Sequence, residues 1–472
     1  MVFSKFLKQN YLILTIIVIA AFLRLYRIGD YMEFLGDQGR DVVIVKDFLK
    51  KGDLFFIGPV TSIGNMYLGP FYYYFIAPAL LLANFSPIGP AIFVAILSIL
   101  TTYLIYIFTK KYFDDKTGLI AALLFAISPV VIKYSNFSWN PNIMPLFALL
   151  FIYCLDQKKY IYATLAFIMC LNSHYLALLL LFPAAYIILL DYKKFNIKNF
   201  VLPIIIFSLS LIPQLLFDLK HNGQNIKALA TFFIKRETTV SIIPTKALPL
   251  LPAMFNQVTT RLLAGKIENF GIVVSIIFFA LILLALYKIK NRFFYICLVW
   301  FFSGLIGLAL YKQHIYDHYF AFIYPVIFIL LAITLSKLNK YLTIFIVVML
   351  AGLSIYSNQF QWEPPKQLAT TKSIDKSILD KSNNMPFNFS LLAKMNYDPG
   401  YLYYLNENKN YYKLSDKITD QLFVVCEPFQ IDCNPINNPE WGIAAFGWAK
   451  IDSQWEVNGI KVFKLVHNPT GI

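Results

Sequence analysis

Apolar residues fall in long uninterrupted runs along this chain, at 10–28, 88–109, 117–134, 142–156, 160–173, 175–190, 200–217, 271–287, 293–311, 319–336 and 341–357. A helix crossing a bilayer at right angles needs roughly 20 apolar residues. Several runs are shorter than that, and the pair covering 160–190 hinges at Asn172-Ser173-His174. The pattern predicts about eleven transmembrane helices. A further stretch, 66–86 (MYLGPFYYYFIAPALLLANFS), is apolar enough to be a twelfth.

Composition supports this reading. Of 472 residues, 58% are hydrophobic and 14% charged, whereas a soluble domain keeps roughly a quarter of its residues charged. Soluble, disordered and fibrous classes fit poorly, and the chain reads as a polytopic α-helical membrane protein. The first run follows Lys5 and Lys8, ends with Arg24 and Arg27, and has no small-residue cleavage site, so it reads as an uncleaved span.

Net charge is +15, but its distribution carries more information. From residue 358 onward 11 Lys stand against 12 acids, so the excess, 30 basic against 14 acidic, lies in the first 357 residues. A nucleic-acid binder would gather it on one soluble face. Here Lys5/Lys8, Lys110/Lys111/Lys116, Lys158/Lys159, Lys193/Lys194/Lys198, Lys288/Lys290/Arg292 and Lys337/Lys340 occupy every second connection. Putting all six groups in the cytoplasm predicts the N-terminus inside and the C-terminus outside. That parity makes 66–86 a helix in the outer interface, with Tyr72, Tyr73 and Tyr74 as its aromatic belt.

Three segments then face outward: 29–87, 218–270 and the tail 358–472. The tail turns polar and contains strand-like FNFSLLAK (387–394) and QLFVVCE (421–427). It predicts a small extracytoplasmic α/β or α+β domain after a linker at Gln361–Pro365, with 1–357 as the membrane domain. Cys154, Cys170 and Cys297 lie in apolar runs and read as core packing. Cys426 and Cys433 lie on the oxidising side, where a disulfide between them would contribute roughly 2–3 kcal/mol.

Candidate chemistry concentrates in the first outer segment, Glu33-Phe34-Leu35-Gly36-Asp37-Gln38-Gly39-Arg40-Asp41. An ionisable group held near a bilayer needs a partner or a task. Gly36 and Gly39 predict a tight turn around Asp37, with Arg40 as ion-pair partner and a membrane-surface helix at 40–51. A plain salt bridge or an N-cap accounts for the same spacing. Further polar clusters end apolar runs at Lys133–Asn140, at Asn172–Tyr175 and at His314–Tyr319. Singly they read as interfacial anchors. Together they would surround one outer-leaflet cavity suited to a phosphate and a sugar on a lipid tail. His314, Asp317 and His318 offer three metal-type ligands without a fourth, so no metal or other cofactor is required, although a divalent cation remains possible. No glycine-rich phosphate loop of Walker type and no GxSxG occurs.

The order RLYRIGDY, GDQGRD, LGPFYYYFIAPALLL resembles the GT-C glycosyltransferases of the protein O-mannosyltransferase and aminoarabinose-transferase clan. It looks closest to bacterial members labelled dolichyl-phosphate-mannose–protein mannosyltransferase-like, and the resemblance covers roughly 1–340. It implies an enzyme of the cell envelope, in the plasma membrane, moving a sugar with inversion from a polyprenyl phosphate to an extracytoplasmic protein, glycan or lipid acceptor. It also implies that the first-loop aspartate, here Asp37, is the general base. Many members carry an acidic pair where this chain has Asp37-Gln38, and Asp41 is the candidate substitute. Arg40, Lys133 and Arg261 are candidate cations for the leaving phosphate. Tyr67, His174, Tyr175, His318 and Tyr319 are candidate hydrogen-bond donors to phosphate or sugar. A flippase of lipid-linked sugars and a non-catalytic lipid-binding scaffold are the alternatives.

Overall fold

The computed structural model describes residues 2–63, 65–194, 196–235, 239–241, 243–406, 414–427 and 433–468. The side chains of Lys5, Lys8 and Lys194, part of the topology argument, lie outside the described residues. Each of the eleven apolar runs is helical. Among the described residues five helices are long and apolar enough to cross a membrane: Ile88–Tyr112, Lys198–Lys220, Glu268–Lys288, Arg292–Leu310 and Asp317–Leu335. Shorter apolar helices accompany them, including Asn10–Leu25, Tyr160–Ser173, Tyr175–Leu190 and Lys340–Tyr356. The chain is an integral membrane protein of helical type with a small sheet near its C-terminus.

Contacts divide it into two compact units: Met1–Tyr26, Asp53–Ala79 and Gly89–Glu363 in one, Arg27–Gly52, Leu80–Ile88 and Pro364–Ile472 in the other. The first is the helical bundle. Every residue of Tyr324–Leu335 is buried, as expected of a helix that is apolar on all sides and packed within protein. The run expected at 117–134 is two helices, Asp115–Ile127 and Pro129–Lys133. Ser128 precedes a proline, which disfavours helical backbone, and it sits at φ −62° and ψ 122°.

Arg24, at the end of the first apolar run, is 1% exposed. Its Nε donates to Ser98 Oγ at 2.8 Å and its Nη1 to the Ala126 carbonyl at 2.9 Å. Ala126 belongs to the last turn of Asp115–Ile127, where carbonyls lack intrahelical donors and the helix dipole is negative. A buried guanidinium therefore caps a buried helix end. Within 66–86 the expectation that changes is the aromatic belt. The observed helix, Phe71–Leu82, has 12 residues, about 18 Å at 1.5 Å per residue, too short to span a core about 30 Å thick. Tyr72 and Tyr73 are buried and form no lipid-facing belt. Tyr72 shares a 2.8 Å hydrogen bond with Ser138 Oγ, and Tyr74 Oη accepts from the Phe55 amide at 2.7 Å.

The second unit carries a mixed four-stranded sheet. Its strands are β1 (Asn388–Leu392), β2 (Gln421–Cys426), β3 (Ala449–Val457) and β4 (Ile460–His467), in the order β1-β2-β4-β3. β1 and β2 run parallel, and the other two pairs are antiparallel. Every residue of β2 is buried. Phe423 and Val425 face a core with Ile374 and Ile378, while Leu422 and Val424 face one with Ile443 and Phe446. The β3–β4 hairpin turns at Asn458-Gly459, both at positive φ, the pair most favoured in a two-residue hairpin loop. Cys426 and Cys433 are joined by a disulfide.

Asp375, in the helix Gln367–Lys381, is 1% exposed, and neither carboxylate oxygen has a hydrogen-bond partner among the described residues. Burial pushes its carboxyl well above the usual range. An acid with a raised folded-state value contributes stability that is complete below its unfolded value, near pH 4, and is lost as pH rises through the folded value. Asp375→Asn should therefore raise the thermal midpoint, more at pH 8 than at pH 5. Equal shifts at both values would contradict the assignment. In the bundle, Arg24→Met should lower the thermal midpoint in detergent, costing about 1–3 kcal/mol for each carbonyl left without a donor. A midpoint equal to wild type would show that those carbonyls find other partners.

Candidate active site

Asp37 lies in the second unit, in the first turn of the helix Gly36–Lys51 rather than in a loop before it. The helix starts four residues earlier than the sequence pattern suggested, and two bonds account for its start. Gln38 Oε1 accepts from the Leu35 amide at 2.9 Å, and Asn396 Oδ1 accepts from the Gly36 amide at 2.8 Å. Both satisfy backbone donors that a helix N-terminus leaves without partners. An acid in this first turn also meets the positive end of the helix dipole.

Gly36 and Gly39 serve close approach, not a turn. Neither has positive φ. A Cβ on Gly36 would overlap the Tyr397 ring, and one on Gly39 would overlap the backbone of Pro399 and Gly400. The expected tight turn around Asp37 is thus replaced by a helix pressed against the segment Asn396–Gly400.

Asp37 is partly open, its side chain 35% exposed. Arg40 Nη1 donates to Asp37 Oδ1 at 2.8 Å, and the Tyr397 hydroxyl donates to the same oxygen. Oδ2 makes no hydrogen bond among the described residues. Burial, with the bond to Asp37 adding to it and Arg40 opposing, pushes the Tyr397 hydroxyl above its ordinary value, so it stays protonated and acts as donor. Arg40 also reaches Asp41 Oδ1 through Nη2 at 2.7 Å and Nε at 3.0 Å. Asp41 itself is buried, 1% exposed. It holds Arg40 from below while Asp37 faces outward.

The other candidates lie in the helical unit. His174 Nδ1 accepts from the Leu176 amide at 3.2 Å, and its ring is 5.0 Å from Tyr319 and 6.3 Å from His318. His318 also meets Trp139 at 4.3 Å and Tyr316 at 5.7 Å. These three candidates share one aromatic cluster. Lys133 is exposed, its Nζ 5.7 Å from the Tyr134 ring centre. Tyr67 and Tyr175 form a separate pair, the Tyr175 hydroxyl donating to the Tyr67 carbonyl at 2.8 Å. Arg261 pairs with Asp317 at 3.4 Å, and Lys266 with the same carboxylate at 2.9 Å. Two cations thus occupy Asp317, and no group of three metal-type ligands converges among the described residues. A cavity of about 900 Å³ in this unit is lined by Tyr319, Tyr316, Tyr311, His314, His221 and Lys227, among others.

Sequence reasoning left the tail either to orient the acceptor or to be structural and named no residue of it for the site, so Asn396 and Tyr397 went unnoticed. Their signal was faint: a turn-forming Asn-Tyr-Asp-Pro-Gly stretch between strand-like runs.

The chain has an ArnT-like fold. The structure of ArnT from Cupriavidus metallidurans bound to undecaprenyl phosphate matches with a TM-score of 0.64 at 11% identity, covering 96% of this chain and 98% of that one. The apo structure of the same protein matches with a TM-score of 0.63 at 10% identity, covering 98% of each chain. A family model described as dolichyl-phosphate-mannose-protein mannosyltransferase matches residues 68–217. No curated protein matches the chain in sequence. The expected fold is thus borne out as ArnT-like, and the mannosyltransferase family model matches the part of the chain that follows the first-segment motifs.

Gly39→Ala tests the packing that seats Asp37. In a free helix this change is favourable by about 1 kcal/mol. Here it should destabilise the helix by about 1–3 kcal/mol, the usual range for overpacking, and speed amide exchange across 36–51. Slower exchange, as propensity alone would give, would contradict the close approach.

Proposed function

We propose that the chain transfers a sugar from a polyprenyl phosphate to an acceptor hydroxyl outside the cytoplasm, with inversion and with Asp37 as general base. The observation that carries this is the Asp37 carboxylate itself: partly exposed, with two donors on Oδ1 and none on Oδ2 among the described residues. The undecaprenyl phosphate named with the ArnT structure and the mannosyltransferase family match support a polyprenyl-phosphate donor.

A hydroxyl is a weak nucleophile until its proton has somewhere to go. In the proposed step the acceptor O–H proton passes to Asp37 Oδ2 while the oxygen bonds to the anomeric carbon. The bond from that carbon to the phosphate oxygen breaks on the opposite face, and polyprenyl phosphate departs as an anion. It needs charge neutralisation and no proton. Arg40 is already shared by Asp37 and Asp41, so its part is to orient the base. The proposed orientation puts the N-terminus in the cytoplasm and the C-terminal sheet outside.

The test uses purified protein in lipid vesicles with radiolabelled polyprenyl-phosphate sugars and envelope extracts as acceptor. Asp37→Asn preserves shape and removes the base. Transfer should fall about 10²–10⁴-fold, the range for a positioned general base. Unchanged transfer would overturn the assignment.

A further inference from the structure

We propose that Tyr397 is a positioning residue for Asp37, carried by the C-terminal sheet domain, so that this domain is a working part of the site. The inference rests on the reading of Asp37 as the base, and it adds the element that aims it.

Three layers of contact support it. In the innermost, Tyr397 and Arg40 both donate to Asp37 Oδ1, and Arg40 Nη1 also donates to the Tyr397 hydroxyl at 3.2 Å. Two donors on one carboxylate oxygen, themselves hydrogen-bonded to each other, fix the side-chain rotamer and leave the other oxygen without a hydrogen bond among the described residues. In the next layer, one amide ties both partners together. Asn396 Oδ1 accepts from the Gly36 amide at 2.8 Å and from the Tyr397 amide at 2.9 Å. The start of the Asp37 helix and the backbone that carries Tyr397 are thus referenced to a single atom.

The third layer fixes Asn396. Its Nδ2 donates to Glu427 Oε1 at 2.7 Å, and the Tyr401 hydroxyl donates to the same oxygen at 3.0 Å. Glu427 directly follows β2, and its amide donates to the Leu392 carbonyl at the end of β1 at 3.0 Å. The preceding residue, Cys426, is held by the disulfide to Cys433. A catalytic group must be held within about half an ångström of its productive place, and supports on regular elements do this better than loops. A surface Tyr–Asp contact formed for stability alone would be worth little and would need no such backing.

Transfer from undecaprenyl-phosphate-linked mannose to envelope extract, measured on the full chain, separates the possibilities. Tyr397→Phe keeps the ring against Gly36 and removes only the hydroxyl. Loss of aim should lower kcat about tenfold and leave the donor KM unchanged, because the interaction acts on turnover and not on binding. The double variant Tyr397→Phe/Asp37→Asn should be no slower than Asp37→Asn alone, since groups acting through one another are not additive. Full activity in Tyr397→Phe beside an inactive Asp37→Asn would overturn the positioning role and leave the base reading intact. Full activity in Asp37→Asn would overturn the base reading, and this inference with it. Amide exchange supplies a readout independent of turnover. Asn396→Ala should speed exchange at 36–38, while Tyr397→Phe should leave the β1–β4 amides protected. Loss of protection across the whole sheet in Tyr397→Phe would make Tyr397 a structural residue and overturn the proposal.

Discussion

The backbone of Gly39 lies against the backbone of Pro399 and Gly400 with no room for a side chain, and the geometry of Asp37 depends on that contact. Backbone contact brings Gly36 under the Tyr397 ring and within a hydrogen bond of Asn396. Only then can the Tyr397 hydroxyl reach Asp37. Helical glycine is costly, by about 1 kcal/mol relative to alanine, and this helix has two within its first turn. The cost is offset where packing cannot be had otherwise. A GDQGRD stretch is thus a docking face first, and the acid is placed by the docking.

In the helical unit a different constraint rules. Without water in the hydrocarbon region, each polar group must find its partner inside the protein. Arg24 meets this by serving the carbonyls of Phe125 and Ala126 and the Ser98 hydroxyl. Distant helices are also joined at Arg292, whose Nε binds Asp156 at 2.9 Å and whose Nη2 binds Asp191 at 2.8 Å. Tyr112 donates to Asp156 as well, and its ring stacks on Phe293 at 4.0 Å. One cation thereby links the ends of Ile88–Tyr112, Met144–Asp156 and Arg292–Leu310. Asp156 is almost fully enclosed at 4% side-chain exposure, so removing Arg292 would strand a buried charge.

How much of this could be read from the chain follows from the range of each interaction. Helix positions were legible, because a run of apolar residues is a local property that the bilayer reads directly. The break at Ser128-Pro129 was present in the sequence but hidden by unbroken hydropathy on both sides. Asn458-Gly459 was a strong hairpin signal, yet the strand-like runs singled out in the tail were 387–394 and 421–427. Tyr72 and Tyr73 looked interfacial because tyrosine favours that depth; only the fold shows Ser138 waiting for one of them. Asp37 and Arg40 were legible as a pair because they lie three residues apart on one helix. Tyr397 was not, since 360 residues separate it from its partner and nothing in either segment announces the other.

Gln38 stands where the resemblance led to the expectation of a second carboxylate. The structure turns that side chain toward its own helix N-terminus, where Oε1 accepts from the Leu35 amide, and buries it to 4% exposure. Glutamate and glutamine are equivalent at the third helical position for this purpose, because both offer an oxygen to the capping amide. A buried carboxylate there would add a second negative charge beside Asp37 with Arg40 the cation already shared. An amide caps the helix without that repulsion.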